Sequence, residues 1–403
     1  MHILEGDGSH ACRNGRKGTV MKFLHISDLH IGKRVNEFSM LEDQKYILNK
    51  IVAIAEGERA DGVIIAGDIY DKPVPSAEAV QLFDSFLTRL AERGRKVFAV
   101  SGNHDSPERI AFGAELMKGR GVYMSPVYDG NVSRVTLADE YGELCVYLLP
   151  FVKPATVRHG LGEEAAELPE SYHDAVRMAV ERMDVDPDKR NILVAHQFVT
   201  GASRCESEEI AVGGLDNVDA EVFGAFDYVA LGHIHSPQHV GRDTVRYCGT
   251  PLKYSFSEAE QEKSVTVLEL REKGEVALDT VPLIPLRDMR RIRGTYMELM
   301  DRSSYEGTNR EDYIQATLTD EEDIPDGMRR LRSIYPNLMQ LNYDNARTRQ
   351  NQNIEASEEM ERKSELELFL EFYERQNNRP MSEEQTELVR QMIEENRDGG
   401  EQP

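Results

Sequence analysis

Between Met21 and about residue 285, short apolar runs alternate with segments of helical period. After FLHIS, apolar residues recur at Ile47, Ile51 and Ile54, a spacing of i, i+4 and i+7 that predicts a helix over about 40–58. GVIIAG follows. A second such face, Val80, Phe83, Leu87 and Leu90, predicts a helix over about 76–93 and leads into VFAVSG. Apolar runs flanking amphipathic helices imply strands buried on both faces, so the expected class is an α/β layered sandwich. Strand-rich stretches around 132–150 and 264–282 are expected to complete it with antiparallel strands.

Five of these runs end in residues able to hold a metal. FLHIS precedes Asp28 and His30, VIIAG precedes Asp68, and VFAVSG precedes Asn103 and His104; ILVA precedes His196, and YVALG precedes His233 and His235. Ligands of such sheets gather outside the carboxyl ends of the strands, so residues some two hundred positions apart can share one site.

Two divalent ions a few ångströms apart activate a water and stabilise both oxygens of a displacement at phosphorus, provided a carboxylate is shared between them. Asp68 is the candidate bridge. Asp28, His30 and His235 would complete one shell; Asn103, His196 and His233 would complete the other. Imidazole, carboxylate and amide oxygen together suit manganese or a similar ion better than a thiolate-selecting one. His104 follows Asn103 directly and should point elsewhere, which suits a catalytic acid or transition-state stabiliser. Asp105 is expected to orient that imidazole. His25 lies upstream of its strand end and is assigned to structure. His2, His10, His159, His173 and His239 fall outside any motif and read as surface residues.

PLIPLR (282–287) carries two prolines and reads as a linker. Beyond it a strand over about 290–300, the strand DYIQATL, the helix PDGMRRLRSIY and the strand NLMQLNY predict a small ββαβ domain. After about residue 346 the chain turns polar, as a tether does. Ser364 with Glu367 and Ser382 with Gln385 then fit capping boxes, so two helices are expected. Their apolar faces (Leu366, Phe369, Leu370, Phe372 and Tyr373 on one, Leu388, Val389, Met392 and Ile393 on the other) are too small for a core; a helical hairpin docking on a partner is the expectation, with packing back on its own domain as the alternative. Residues 1–20 lack the apolar centre of a secretory signal and read as a disordered extension, with Met21 an alternative start.

A chain of 403 residues with 40% hydrophobic and 30% charged content allows two or three ordinary globular domains, without a transmembrane run. The net charge of −24 argues against a continuous basic DNA-binding face. Residues 355–401 carry 15 acidic and 6 basic side chains, so part of the excess sits in the tail, and a metal pair or basic partner would supply positive potential. Cys12, Cys145, Cys205 and Cys248 form no pairing framework, which suits a reducing cytoplasm.

D-x-H, G-D, G-N-H-D, a lone H and G-H-x-H, in this order, resemble the calcineurin-like metallophosphoesterases over about 21–255. GDIYDKPVPSAEAV, GNHDSPERIAFGAELM, LPFVKP, AVGGLDNVDAEVFGAFDYVALGHIHSPQ and YCGTPLKYSFSEAEQEKSV are similar to the bacterial SbcD nuclease subunits, and the likeness runs through YPNLMQLNYDN to about residue 345. The resemblance implies a metallophosphoesterase β-sandwich flanked by helices (21–285), a small α+β DNA-contacting capping domain (286–346) and a linker with a helical partner-binding tail (347–403). It also implies a cytoplasmic, manganese-dependent DNA nuclease acting on duplex ends, hairpins and single strands in repair, replication and recombination. Its metal ligands fall on Asp28, His30, Asp68, Asn103, His196, His233 and His235, and its catalytic histidine on His104. The implied partner is an SbcC-type ABC ATPase whose coiled coil binds the C-terminal region, with the nuclease a homodimer inside a heterotetramer. This chain has no G-x-x-x-x-G-K-[ST], so an ATP requirement would belong to the partner. Archaeal and eukaryotic relatives carry a histidine three residues after the bridging aspartate, where this chain has Asp71. The alternative reading is a phosphoesterase of small esters or phosphoproteins; against it, GDIYDKP and GNHDSPE differ from the Ser/Thr phosphatase pattern G-D-x-V-D-R-G with G-N-H-E.

Overall fold

The computed structural model describes residues 20–162, 168–203, 205, 208, 217–346, 348, 370, 381–382, 385–386 and 388–390. The extension before Val20, and nearly all of the two helices expected in the tail, lie outside them.

The first half of the chain runs β1 (Met21–Ile26), the short strands β2 (Arg34–Val35) and β3 (Phe38–Ser39), α1 (Leu41–Gly57), β4 (Gly62–Ala66), α2 (Ala77–Glu92) and β5 (Lys96–Val100). Two short helices, α3 (Pro107–Ile110) and α4 (Ala114–Lys118), lead to β6 (Val122–Met124), β7 (Ser133–Asp139) and β8 (Gly142–Leu149). Then come α5 (Pro154–Leu161), α6 (Tyr172–Glu181), β9 (Arg190–His196), β10 (Tyr228–Gly232), β11 (Gln238–Val240), β12 (Arg242–Tyr247), β13 (Ser264–Leu270) and β14 (Val276–Pro282).

These strands make two six-stranded sheets, ordered β14-β13-β1-β4-β5-β6 and β11-β12-β10-β9-β8-β7. The inner strands β1, β4 and β5 are parallel, as are β8, β9 and β10. Antiparallel pairs β13–β14 and β7–β8 extend the edges, as the strand-rich stretches predicted. Phe23, Ile64, Phe98, Val146, Val194, Tyr228 and Leu268 fill the space between the sheets. The outer faces are covered separately. Ile47, Ile51, Phe83 and Leu90 cover the first sheet from α1 and α2, and Val157, Val176 and Ala179 cover the second from α5 and α6. Each face therefore buries its own apolar set, which is why the central strands read as continuous apolar runs.

Alternation along β1 sends Leu24 and Ile26 toward the helices and Phe23 toward the second sheet. His25 follows Phe23 inward, where its Nδ1 lies 2.9 Å from the Tyr228 hydroxyl of the opposite sheet. Burial, aided by Arg246, pushes this imidazole down to about 3, so it is neutral.

Beyond β14 the order is β15 (Met289–Gly294), α7 (Tyr296–Met300), α8 (Arg302–Tyr305), β16 (Tyr313–Leu318), α9 (Gly327–Leu331) and β17 (Leu338–Tyr343), with a three-stranded sheet β15-β16-β17. The strand expected over 290–300 ends at Gly294. There the Thr295 side chain accepts from the Glu298 amide and the Glu298 carboxylate from the Thr295 amide, a capping box that starts a helix instead. The helix expected over PDGMRRLRSIY is confined to α9, its Asp326 cap being left-handed. Ser382 and Gln385 form the reciprocal bonds expected of their capping box.

By compactness the chain divides into two units. Among the described residues, one comprises those up to 291 with 308–315 and 335–340; the other comprises 292–307, 316–334 and those from 341 on. Among the described residues, Leu299, Ala316, Leu318, Leu331 and Ile334 are the buried apolar residues of the second. Among the described residues no helix is long and apolar enough to cross a membrane.

The neutral His25 makes stability depend on pH. Its ordinary value of 6.5 applies when unfolded, so below that pH the unfolded chain takes up a proton that the folded chain refuses until about 3. Stability contributed above 6.5 is therefore lost as pH falls. Between pH 7.5 and 5 the loss assigned to His25 is about 2 kcal/mol, and His25→Gln should remove that much of the pH dependence in urea denaturation. An unchanged pH slope in the variant would contradict a neutral, buried ring.

Candidate metal centre

All nine candidate site residues fall at the carboxyl ends of β1, β4, β5, β9 and β10, which face the same edge of the sandwich. Four of them, Asp28 (φ 52°), His30 (φ 44°), Asp68 (φ 49°) and His233 (φ 100°), hold left-handed backbone conformations. Such residues are strained when not glycine, and the strain persists only where the surroundings fix it. The preceding glycines are fixed by close approach. A Cβ at Gly102 would run into the Asp68 carboxylate, and one at Gly232 into the Ala66 carbonyl and the His196 ring.

Asp68 sits at the centre. Its Oδ2 lies 3.4 Å from His196 Nε2, 3.7 Å from His30 Nε2 and 4.0 Å from His104 Nε2. On one side, His30 Nε2 and His235 Nε2 approach to 3.2 Å, with an Asp28 oxygen in the same cluster. On the other, Asn103 Oδ1 lies 3.0 Å from both His196 Nε2 and His233 Nδ1. Asp28 is hydrogen-bonded by Ser27 and accepts the His233 amide at 3.1 Å. Donors about 2.1 Å from one octahedral ion stand about 3.0 Å apart along each edge, so the contacts of 3.0 to 3.4 Å match coordination edges.

Burial alone would raise Asp68, but the facing His196 and His30 outweigh it and hold the carboxyl well below its usual range. His196 is buried too, and Asp68 nonetheless raises it to about 9. Asp28 is pushed up by burial. A carboxylate cluster that draws a proton onto an imidazole is one that divalent cations neutralise. The donor set thus fits a divalent metal centre.

His104 is the more open member, its side chain 18% exposed against 1% for His30 and 0% for His196. Its amide donates to Asp68 Oδ1 at 2.9 Å, and its Nδ1 lies 3.1 Å from the Asp71 carbonyl, which leaves Nε2 toward Asp68. The orientation expected from Asp105 has a different source. The Asp105 carboxylate accepts the amides of Ile69 (3.0 Å), Tyr70 (2.9 Å) and Gly102 (2.9 Å), tying the loop after β4 to the loop after β5. Burial and the nearby Asp68 push Asp105 up to about 6.

Several residues that shape this site lie outside the strand-end pattern. Gln44 on α1 donates to the His30 carbonyl (2.7 Å) and accepts the Gly32 amide (2.9 Å), and the Tyr254 hydroxyl donates to the Leu29 carbonyl (2.5 Å). Glu208 accepts the His235 amide at 2.6 Å. Glu258, fully buried, pairs with Lys263 at 2.5 Å, and Lys263 also donates to the His235 carbonyl at 2.9 Å.

Residues 21–237 match the family model described as calcineurin-like phosphoesterase, the class that this fold and donor set define. Residues 285–377 match a second model, described as type 5 capsule protein repressor C-terminal domain. The SbcD subunit of the SbcCD nuclease of Staphylococcus epidermidis is 30% identical over 377 residues, 93% of this chain and 98% of that protein. Its counterpart in Staphylococcus saprophyticus is 32% identical over 325 residues, 80% of this chain and 84% of that protein. Among solved structures, TT1561 of Thermus thermophilus aligns with a TM-score of 0.39 at 17% identity, over 66% of this chain and 100% of that one. The chain belongs to the SbcD family of calcineurin-like phosphoesterases.

If Asp105 clamps the two loops, Asp105→Ala leaves three amides without their acceptor and should cost about 3 kcal/mol or more in chemical denaturation. A stability equal to the unaltered protein would show that its hydrogen bonds are dispensable.

Proposed function

We propose that this chain is the nuclease subunit of an SbcCD-type complex, a metal-dependent phosphodiester hydrolase acting on DNA ends, hairpins and single strands. The convergence of six further N and O donor residues on Asp68, from five strand ends of two sheets, carries this reading. Asp28, His30 and His235 would hold one ion and Asn103, His196 and His233 a second, with Asp68 shared. Two divalent ions, Mn2+ in our reading, would neutralise charge at the phosphoryl oxygens and lower the pKa of the attacking water. His104, held through Nδ1 by the Asp71 carbonyl, offers Nε2 to the leaving oxygen as acid or stabiliser. Asp105 acts through the loops it ties.

We assign residues 21–285 to the nuclease domain, 286–346 to a capping domain on DNA, and 347–403 to a tether with a tail that binds an SbcC-type ATPase. Exposed Arg329 and Arg330 support phosphate contacts by the capping segment. Phe112 and Leu116, 85% and 86% exposed, support a homodimer within a heterotetramer. A cytoplasmic place in DNA repair, replication and recombination completes the reading.

Purified chain with Mn2+ should cleave linear and hairpin DNA, more so with its ATPase partner, and chelator should abolish cleavage. His104→Ala should lower the rate about 10²- to 10⁴-fold while calorimetry still registers Mn2+ binding. Turnover of nitrophenyl phosphate or cyclic nucleotides, with DNA untouched under every partner condition, would instead establish a small-ester phosphoesterase. Deleting residues 364–403 should weaken partner binding in size-exclusion titrations and leave Mn2+ uptake unchanged; undiminished complex formation would refute the tail as the docking element.

A further inference from the structure

The string LPFVKP (149–154) carries the chain from the end of β8 into α5, and the metal centre and His104 leave it without a role. β8 runs parallel to β9, with Leu149 beside Ala195, so the segment leaves its sheet at the same edge as His196. It is anchored to both sheets there. The Phe151 amide donates at 2.8 Å to the carbonyl of Ser101, which follows β5, and the side chain of Gln197, which follows β9, donates to the Val152 carbonyl at 3.2 Å. Val152 itself is fully buried.

This anchoring sets the Phe151 ring against two imidazoles of the centre. Its centroid is 6.1 Å from that of His196, edge-on, and 6.4 Å from that of His233, with 17° between the planes. Lys153 returns to the same ring: its Nζ lies 5.8 Å from the Phe151 centroid, within cation–π distance. Pro154, which opens α5, keeps residue 153 extended (φ −108°, ψ 161°), and the lysine is exposed. Among the described residues its ammonium forms no ion pair, whereas that of Lys33 is held by Asp71 at 2.8 Å. In a chain of net charge −24, an exposed ammonium at this edge that no described carboxylate engages is open to a substrate anion.

The phosphate under attack belongs to the donors around Asp68, and the Lys153 ammonium bonds to none of them. A charge held one aromatic ring away from those donors suits the neighbouring phosphate of a strand, which a small ester does not have. We propose that Lys153 is a substrate-binding residue that holds a phosphate adjacent to the scissile one along a DNA strand, so that this edge distinguishes a polynucleotide from a single phosphate ester. The proposal rests on the nuclease reading above and deepens it. Phe151 confines the lysine beforehand, which reduces the side-chain entropy lost when the phosphate arrives.

Steady-state cleavage of a single-stranded oligonucleotide by the full chain with Mn2+, repeated over a range of salt concentrations, tests the assignment. Lys153→Gln should lower kcat/KM about tenfold, with the loss in KM. The slope of log kcat/KM against log salt should become shallower by about 0.7, the share of one phosphate contact on a single strand. Lys153→Arg, which keeps the charge, should restore most of both. Circular dichroism and Mn2+ calorimetry of the variants should match the unaltered chain. An unchanged KM and salt slope in Lys153→Gln would overturn the proposal, as would a loss confined to kcat or one accompanied by weakened Mn2+ uptake. Failure of the unaltered chain to cleave any DNA, alone or with its ATPase partner, would overturn the nuclease reading itself.

Discussion

The site depends on how closely two sheets can approach at one edge. Gly232 ends β10 with its Cα so near the Ala66 carbonyl of β4 that no side chain could stand there, and His196 from β9 fills what space remains. Because of that contact, donors from β1, β4 and β5 meet donors from β9 and β10 within hydrogen-bonding distances. The apolar filling between the sheets, with Phe23, Phe98 and Tyr228 at its centre, keeps the approach fixed along the rest of their length. Core and chemistry are therefore one construction: the packing that stabilises the sandwich also sets the spacing of the donors.

Electrostatics complete what packing begins. A buried carboxylate at Asp68 surrounded by imidazoles stays ionised and raises His196, so the centre is poised for positive charge. Asp105, adjacent in sequence to His104, instead holds two loops at a fixed separation through three amides. His104 is left oriented by a backbone carbonyl and more open than the buried His30 and His196.

The strand ends were legible in the sequence because each donor follows a continuous apolar run, and both long helices were legible from the period of their apolar faces, although Val80, expected on the face of α2, is exposed and Ala79 is buried in its place. The assignment of His25 to structure followed from its position one pleat back from the strand end. Less of the surroundings could be read. Gln44, Glu208, Glu258 and Lys263 act on the centre through contacts with residues as distant as β1 and β10, and no local spacing marks them. Glu258 and Lys263 sit in SFSEAEQEKSV, a string whose acidic and basic residues look solvated until the fold encloses them. The misread strand over 290–300 has a nearer cause. Tyr296, Met297, Leu299 and Met300 carry enough apolar character to extend β15, and the signal that stops it is the polar pair Thr295 and Glu298 at capping spacing.

The left-handed backbone at Asp28, His30, Asp68 and His233 bears on what happens when occupants come and go. Loops held in such conformations by the packing around them have little room to relax, so the conformational penalty is met during folding rather than at each binding event. A centre of that kind can exchange one ion for another with little reorganisation. Its discrimination among ions then rests on donor identity, with flexibility contributing little.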